Sequence, residues 1–429
     1  MNCEKLHQDI EKLKEQYNSF SSKLKFSIEK AEGKGKIALS EQLRNTLALQ
    51  DQILESYLPD FFEKNPELLQ LNLGNRIECK DADGKPAIIR SITQLSDGSI
   101  MIGGGGYGAL YHAKIDENGE FILGDRIECK DILGRTANID SITQLLDGSI
   151  MIGCSCGTLY HAKIDENGEF ILGEPIECKS FNGLFSTITT VTQLSDNSII
   201  IGGGDSTLRR AIIDKNGELI LGDRMECKDA DGKPARISFV TQLSDESIMI
   251  GGWNHTLYRA TIDEYGEFIL GDIIKCKDAN GLLYIATIAQ LSDGSIMIGG
   301  NRGALYHARV DGNGEFILGE RMECEDADGE LANVNFITQL SDNSIMIGGN
   351  GGILYRAIMG ENGKVNLGGR IECKNANARP AGICPITQLS DGSIMIGGNG
   401  TLYHATIDQP TLSTLKQKIN MIADKRAPK

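Results

Sequence analysis

Seven near-identical units, four short alternating stretches in each, and chain ends that complete one another predict a mainly β fold. The class is a seven-bladed β-propeller with four-stranded blades of about 49 residues, preceded by a helical hairpin and followed by a C-terminal helix. The phrase TQLSDGSIMIGG places its glutamine at Gln94, Gln144, Gln193, Gln242, Gln290, Gln339 and Gln388, at intervals of 48 to 50 residues. One such unit cannot cover both faces of its own sheet. Seven in a ring bury each face against a neighbour and leave no bare edge between blades.

Residues 1–70 are read as a helical hairpin or coiled coil. Leu6, Ile10, Leu13, Tyr17, Phe20 and Leu24 step by alternating fours and threes, the seam of an amphipathic helix. Gly33 and Gly35 interrupt it, and Leu43, Leu47, Leu54 and Leu58 mark a second helix that stops near Pro66. The helices either cap the ring or pair with a second copy, so a homo-oligomer through them is one expectation. After Pro410, Leu412, Leu415, Ile419 and Ile422 form a third stripe, giving a C-terminal amphipathic helix over 410–429.

Between these lies the propeller, 71–409. Each unit reads as strand A (ITQL), strand B (SIMIGG), strand C (TLYHAKID) and strand D (EFILGDRIEC), with turns such as Asp97-Gly98 and Asn118-Gly119 between them. The first piece, LNLGNRIEC at 71–79, is a D strand with nothing before it, and the last unit has A, B and C but no D. Joining the two completes the seventh blade and closes the ring.

The double glycine ending strand B (Gly103-Gly104, Gly251-Gly252, Gly299-Gly300), followed by Leu-Tyr, resembles the kelch repeat, and LSDGSIMIGG resembles the core of bacterial delta-60-type propeller repeats. The resemblance covers 71–408 and implies a blade without implying an activity. The tryptophan that kelch repeats carry after strand C has no counterpart, since the one Trp of the chain is Trp253. A helical segment joined to a repeat domain also resembles bacterial effector proteins delivered into host cells, which would imply translocation.

Composition narrows the function. Residues 71–409 hold 28 basic and 46 acidic side chains, so no clustered basic face is available for phosphates and no nucleic-acid partner is expected. The acidic surface suits solubility or a basic partner. No run of about 18 apolar residues occurs and the start is charged, so a soluble cytoplasmic chain is expected rather than a membrane protein.

Cys79, Cys129, Cys178, Cys227, Cys276, Cys324 and Cys373 recur at one strand-D position and read as reduced packing residues. Cys154 and Cys156 supply two ligands where zinc needs four, and the Asp-Gly segments read as turns, so no metal and no cofactor are expected. His112, His161, His307 and His404 alternate with Arg209, Arg259 and Arg356 at one strand-C position, as a periodic surface would. With no convergent set of residues breaking the repeat, no catalytic residue is assigned and the chain is expected not to be an enzyme.

The copies differ at the B–C and D–A connections, which share one rim of the disk, whereas the A–B and C–D turns are nearly uniform. Candidate partner-binding residues on that rim are Tyr107, Asp205, Trp253, His255, Arg302, Phe181, Phe185 and Tyr284. A second variable ring, Arg90, Asp140, Thr189, Ser238, Asn335 and Cys384, with Ala286, lines the channel mouth if strand A is innermost. The expected function is a scaffold that binds another protein through this face. A lectin-like or small-ligand-binding propeller is the alternative, and an enzyme with an unrecognised site the third.

Overall fold

The computed structural model describes residues 71–407, apart from 106–107, 180–182, 184–185, 230, 254–256, 265–266, 275–283, 312–314, 327 and 361–362. The expected helices over 1–70 and 410–429 lie outside the described residues. The remainder forms seven antiparallel sheets, each a meander in the order A-B-C-D. The first is Ile88–Gln94, Ile100–Gly105, Ala109–Ile115 and Phe121–Ile127. The seventh takes strands A to C from Ile383–Gln388, Ile394–Gly398 and Thr401–Ile407, and its outer strand from Leu71–Asn72 and Arg76–Ile77. Leu71 pairs with Ile407 and Ile77 with Leu402, so the ring closes as the complementary ends predict.

Strand B departs from period two. Ile100, Met101 and Ile102 are all fully buried, and the same holds for Ile248, Met249 and Ile250. Lying mid-sheet between two neighbouring blades, strand B has no wet face, so its sequence is a continuous apolar run. Strand D, at the perimeter, alternates half-buried Phe121 and Leu123 with exposed Ile122.

Contacts between blades repeat around the ring. A Cβ built on Gly103 would stand 2.4 Å from Ile139 Cγ2, and one on Gly397 would stand 2.6 Å from Ile89 Cγ2 across the closure. The first glycine after strand B is the slot for the next blade's isoleucine at Gly103, Gly153, Gly202, Gly348 and Gly397; Val334 fills it over Gly299, and Phe239 of the same blade crowds Gly251. On the uniform face, Gln144 Oε1 accepts the Ser96 N–H at 2.7 Å, and Gln94 Oε1 accepts the Ser390 N–H at 2.7 Å, so the glutamine belt runs through the closing interface. Thr93 Oγ1 donates to Ile142 O at 2.8 Å and Thr387 Oγ1 to Ile92 O at 2.9 Å. These bonds join A strands of adjacent blades, which places strand A innermost.

Tyrosines of strand C brace the D–A connection that leads into their own blade. Tyr160 Oη accepts the Lys130 N–H at 2.9 Å and donates to Lys130 O. Blade three has Arg209 in this role, donating to Lys179 O at 2.9 Å. This corrects the sequence register: Ile200 faces Arg210, as Met101 faces His112, so Arg210 and not Arg209 belongs with the histidines.

Candidate functional site

The variable rim is built from turns pinned to backbone. Trp253 N–H donates to Arg236 O at 3.0 Å, and Asn350 N–H donates to Asn333 O at 2.9 Å, so each B–C tip rests on the segment entering strand A of its own blade. Both sets of variable connections therefore share one face. Within the D–A turns, Asp131 Oδ1 accepts the N–H groups of Leu133 and Arg135, both at 2.9 Å, so these aspartates build Asx turns as the sequence implies.

Three candidates converge. Trp253, 46% exposed, tilts against Tyr284 with ring centroids 5.2 Å apart. Tyr284 Oη lies 3.3 Å from Ser238 Oγ, linking the rim to the channel mouth. Arg236 joins them, its guanidinium carbon 4.9 Å from the centre of the Trp253 ring. The sequence reading missed Arg236 because it precedes by two residues the ring represented by Ser238. Its signal was a lone arginine at a place filled by Ile88, Asn138 and Asn333 in other copies.

The other candidates do not gather there. Arg302 takes positive φ at a neighbouring tip and its N–H donates to Asn333 Oδ1 at 3.2 Å. Asp205 builds its own turn, with Oδ1 accepting from Thr207 Oγ1 at 2.5 Å. Tyr107, Phe181, Phe185 and His255 lie outside the described residues.

At the mouth, Arg90 Nη1 donates to Asp140 Oδ1 across blades one and two. Burial raises the Asp140 carboxyl above the usual carboxylate range against the opposing pull of Arg90 and Arg236. Thr189 Oγ1 donates to Ile237 O at 2.7 Å and Asn335 Nδ2 to Asn350 Oδ1 at 2.8 Å, so these two brace the ring itself. Burial pushes the Cys384 thiol up to about 11. On the opposite face Leu146, 76% exposed, stands where the other copies have serine and borders a groove of about 480 Å³.

Serine, histidine and aspartate do meet within the repeat. Ser393 Oγ lies 2.8 Å from His404 Nε2 and donates to Asp391 Oδ1 at 2.6 Å. The acid here holds the serine and not the imidazole, so it is not the relay in which a carboxylate orients a histidine base. In blade four the same place holds an ion pair, Arg259 to Asp245 at 2.5 Å, which marks it as a structural strut. No metal-binding group of His, Cys, Asp or Glu occurs among the described residues.

Fold and face together define a closed seven-bladed propeller with one uniform and one individual surface. No protein-family model matches the chain, and no curated protein matches it in sequence. Solved propellers match it in structure. A streptogramin B lyase is similar at TM-score 0.55 and 13% identity, over 78% of this chain and 98% of that one. A periplasmic gluconolactonase of Pseudomonas aeruginosa has TM-score 0.53 and 10% identity, over 67% and 84%. The WD40 propeller domain of Doa1 has TM-score 0.52 and 15% identity, over 79% and 97%. At such identities the likeness shows the fold alone. The expectation of a non-enzyme is corrected here: this architecture hosts a lyase and a gluconolactonase, so the absence of a recognised catalytic set in the sequence does not exclude catalysis.

Proposed function

We propose that the individual face docks another protein, with Trp253, Arg236 and Tyr284 as its anchor and Arg302 on the adjoining tip. The observation that carries this reading is the half-exposed Trp253 held between a guanidinium and a second aromatic ring on the one surface where the copies differ. Large aromatic and arginine side chains dominate the energy of protein interfaces, because they bury much area and pair an apolar body with hydrogen-bonding groups.

The same proposal includes a kelch-like or delta-60-like repeat ancestry, supported by the glycine slots at Gly103 and Gly397. It also includes a cytosolic, effector-type setting, supported by described cysteines that are all unpaired. Among the described residues no helix is long and apolar enough to cross a membrane.

Affinity capture with quantitative mass spectrometry tests the docking reading. Trp253→Ala and Arg302→Ala should each weaken capture, the first by about 2 kcal/mol or more, as interface anchors do. Their thermal midpoints should stay near that of the unaltered protein. Undiminished capture by both variants would remove the reading.

A further inference from the structure

The mouth of the central channel holds an unbalanced set of charges. Asp140 is 10% exposed, and Arg90 Nη1 binds one of its oxygens. The other, Oδ2, is buried and has no hydrogen-bond partner among the described residues. A buried carboxylate oxygen left unpaired is costly, so such an atom points to a donor delivered from outside the chain.

Arg236 approaches from blade four. Its Nη2 lies 3.4 Å from where a Cβ on Gly204 would stand, so the guanidinium runs alongside the blade-three tip. Arg236 stacks on Trp253 and donates no side-chain hydrogen bond to any described residue, which leaves its fork available to an acceptor. Arg90 is bonded to the Asp140 carboxylate and the charge of Arg236 also acts on it, so two guanidinium groups bias the mouth toward positive charge.

The complementary molecule has one negative group for the Arg236 fork and one neutral donor for Asp140 Oδ2. A cation on the ligand would be opposed by Arg90, already seated on Asp140, so the donor is a hydroxyl and not an ammonium. We infer that the channel mouth binds a small hydroxycarboxylate, its carboxylate on Arg236 and its hydroxyl on Asp140. This goes beyond the docking of a protein on the rim and does not rest on it.

Trp253 is the one tryptophan in the chain, so its emission reports directly on Arg236. The full chain is titrated with L-tartrate, with succinate as the same two carboxylates without hydroxyls and erythritol as the hydroxyls without carboxylates. Calorimetry provides a second readout independent of the fluorophore. Tartrate should give a saturable change, succinate should bind ~tenfold more weakly or worse, and erythritol should give no response. Arg236→Gln, which changes only an exposed side chain that donates no hydrogen bond to a described residue, should weaken tartrate ~tenfold or more while keeping its thermal midpoint. Asp140→Asn should bring tartrate down to the level of succinate. No saturable tartrate binding, equal binding of tartrate and succinate, or unchanged binding by Arg236→Gln would each overturn the inference.

Discussion

Replacing Ile89 by alanine tests the closure on which the whole architecture depends. Ile89 is 1% exposed and packs with Leu389, Met395 and Leu402, which belong to the last blade. Its Cγ2 fills the slot over Gly397. Truncation removes three carbons, roughly 2.4 kcal/mol at about 0.8 kcal/mol per buried methylene, and the cavity left behind raises the cost to about 3–4 kcal/mol. Ile237 occupies the equivalent slot over Gly202 inside the ring and packs with Leu194, Ile200 and Leu208. Ile237→Ala should therefore cost about the same as Ile89→Ala. Urea unfolding followed by Trp253 emission and by far-ultraviolet circular dichroism measures both, with the m-value compared to exclude a change in compactness. In an open spiral Ile89 would face water and its truncation would cost under ~1 kcal/mol. A cost for Ile89→Ala below half that for Ile237→Ala would refute closure.

Two further outcomes follow from the titratable groups. Burial alone would raise the Asp196 and Asp245 carboxyls, but hydrogen bonds from Ser198 and Ser247 and the charges of Arg210 and Arg259 hold both below the ordinary value of 3.8. A carboxyl depressed in the folded state stabilises it above the unfolded pKa and loses that contribution as pH falls through the folded one. Thermal midpoints should therefore hold from neutral pH down to about 4 and fall on further acidification, less steeply in the Asp196→Asn and Asp245→Asn double variant; equal slopes would contradict this. Burial also pushes the thiols of Cys129, Cys227, Cys324 and Cys373 up to about 12, so iodoacetamide at pH 8 should spare them in the native protein and label half-buried Cys156 before any of them. Peptide mass spectrometry before and after denaturation reads the order, and early labelling of Cys129 would show that the blade interface is open.

The repeat made the blades legible because each interface reuses one set of contacts. The glutamine of strand A meets the preceding blade's A–B turn seven times, and the first glycine receives the next blade's isoleucine in most blades, so their periodicity stands in the sequence itself. The seventh blade was legible for the same reason, since a missing D strand and an orphan one complete a repeat.

Individual side chains obey no such period. In TLRRA two adjacent arginines fit the tyrosine or the histidine place equally well on paper, and the pairing of Ile200 with Arg210 decides between them. Arg236, Trp253 and Tyr284 are 17 and 31 residues apart in sequence, and Arg90 and Asp140 are 50 apart. The sequence alone determined which strands exist, because β-branched stretches and the turns between them are local signals, whereas the drying of both faces of strand B came from the neighbouring blades. Which side chains touch on the individual face was decided by the tertiary structure, since that depends on the path of turns and the spacing between blades.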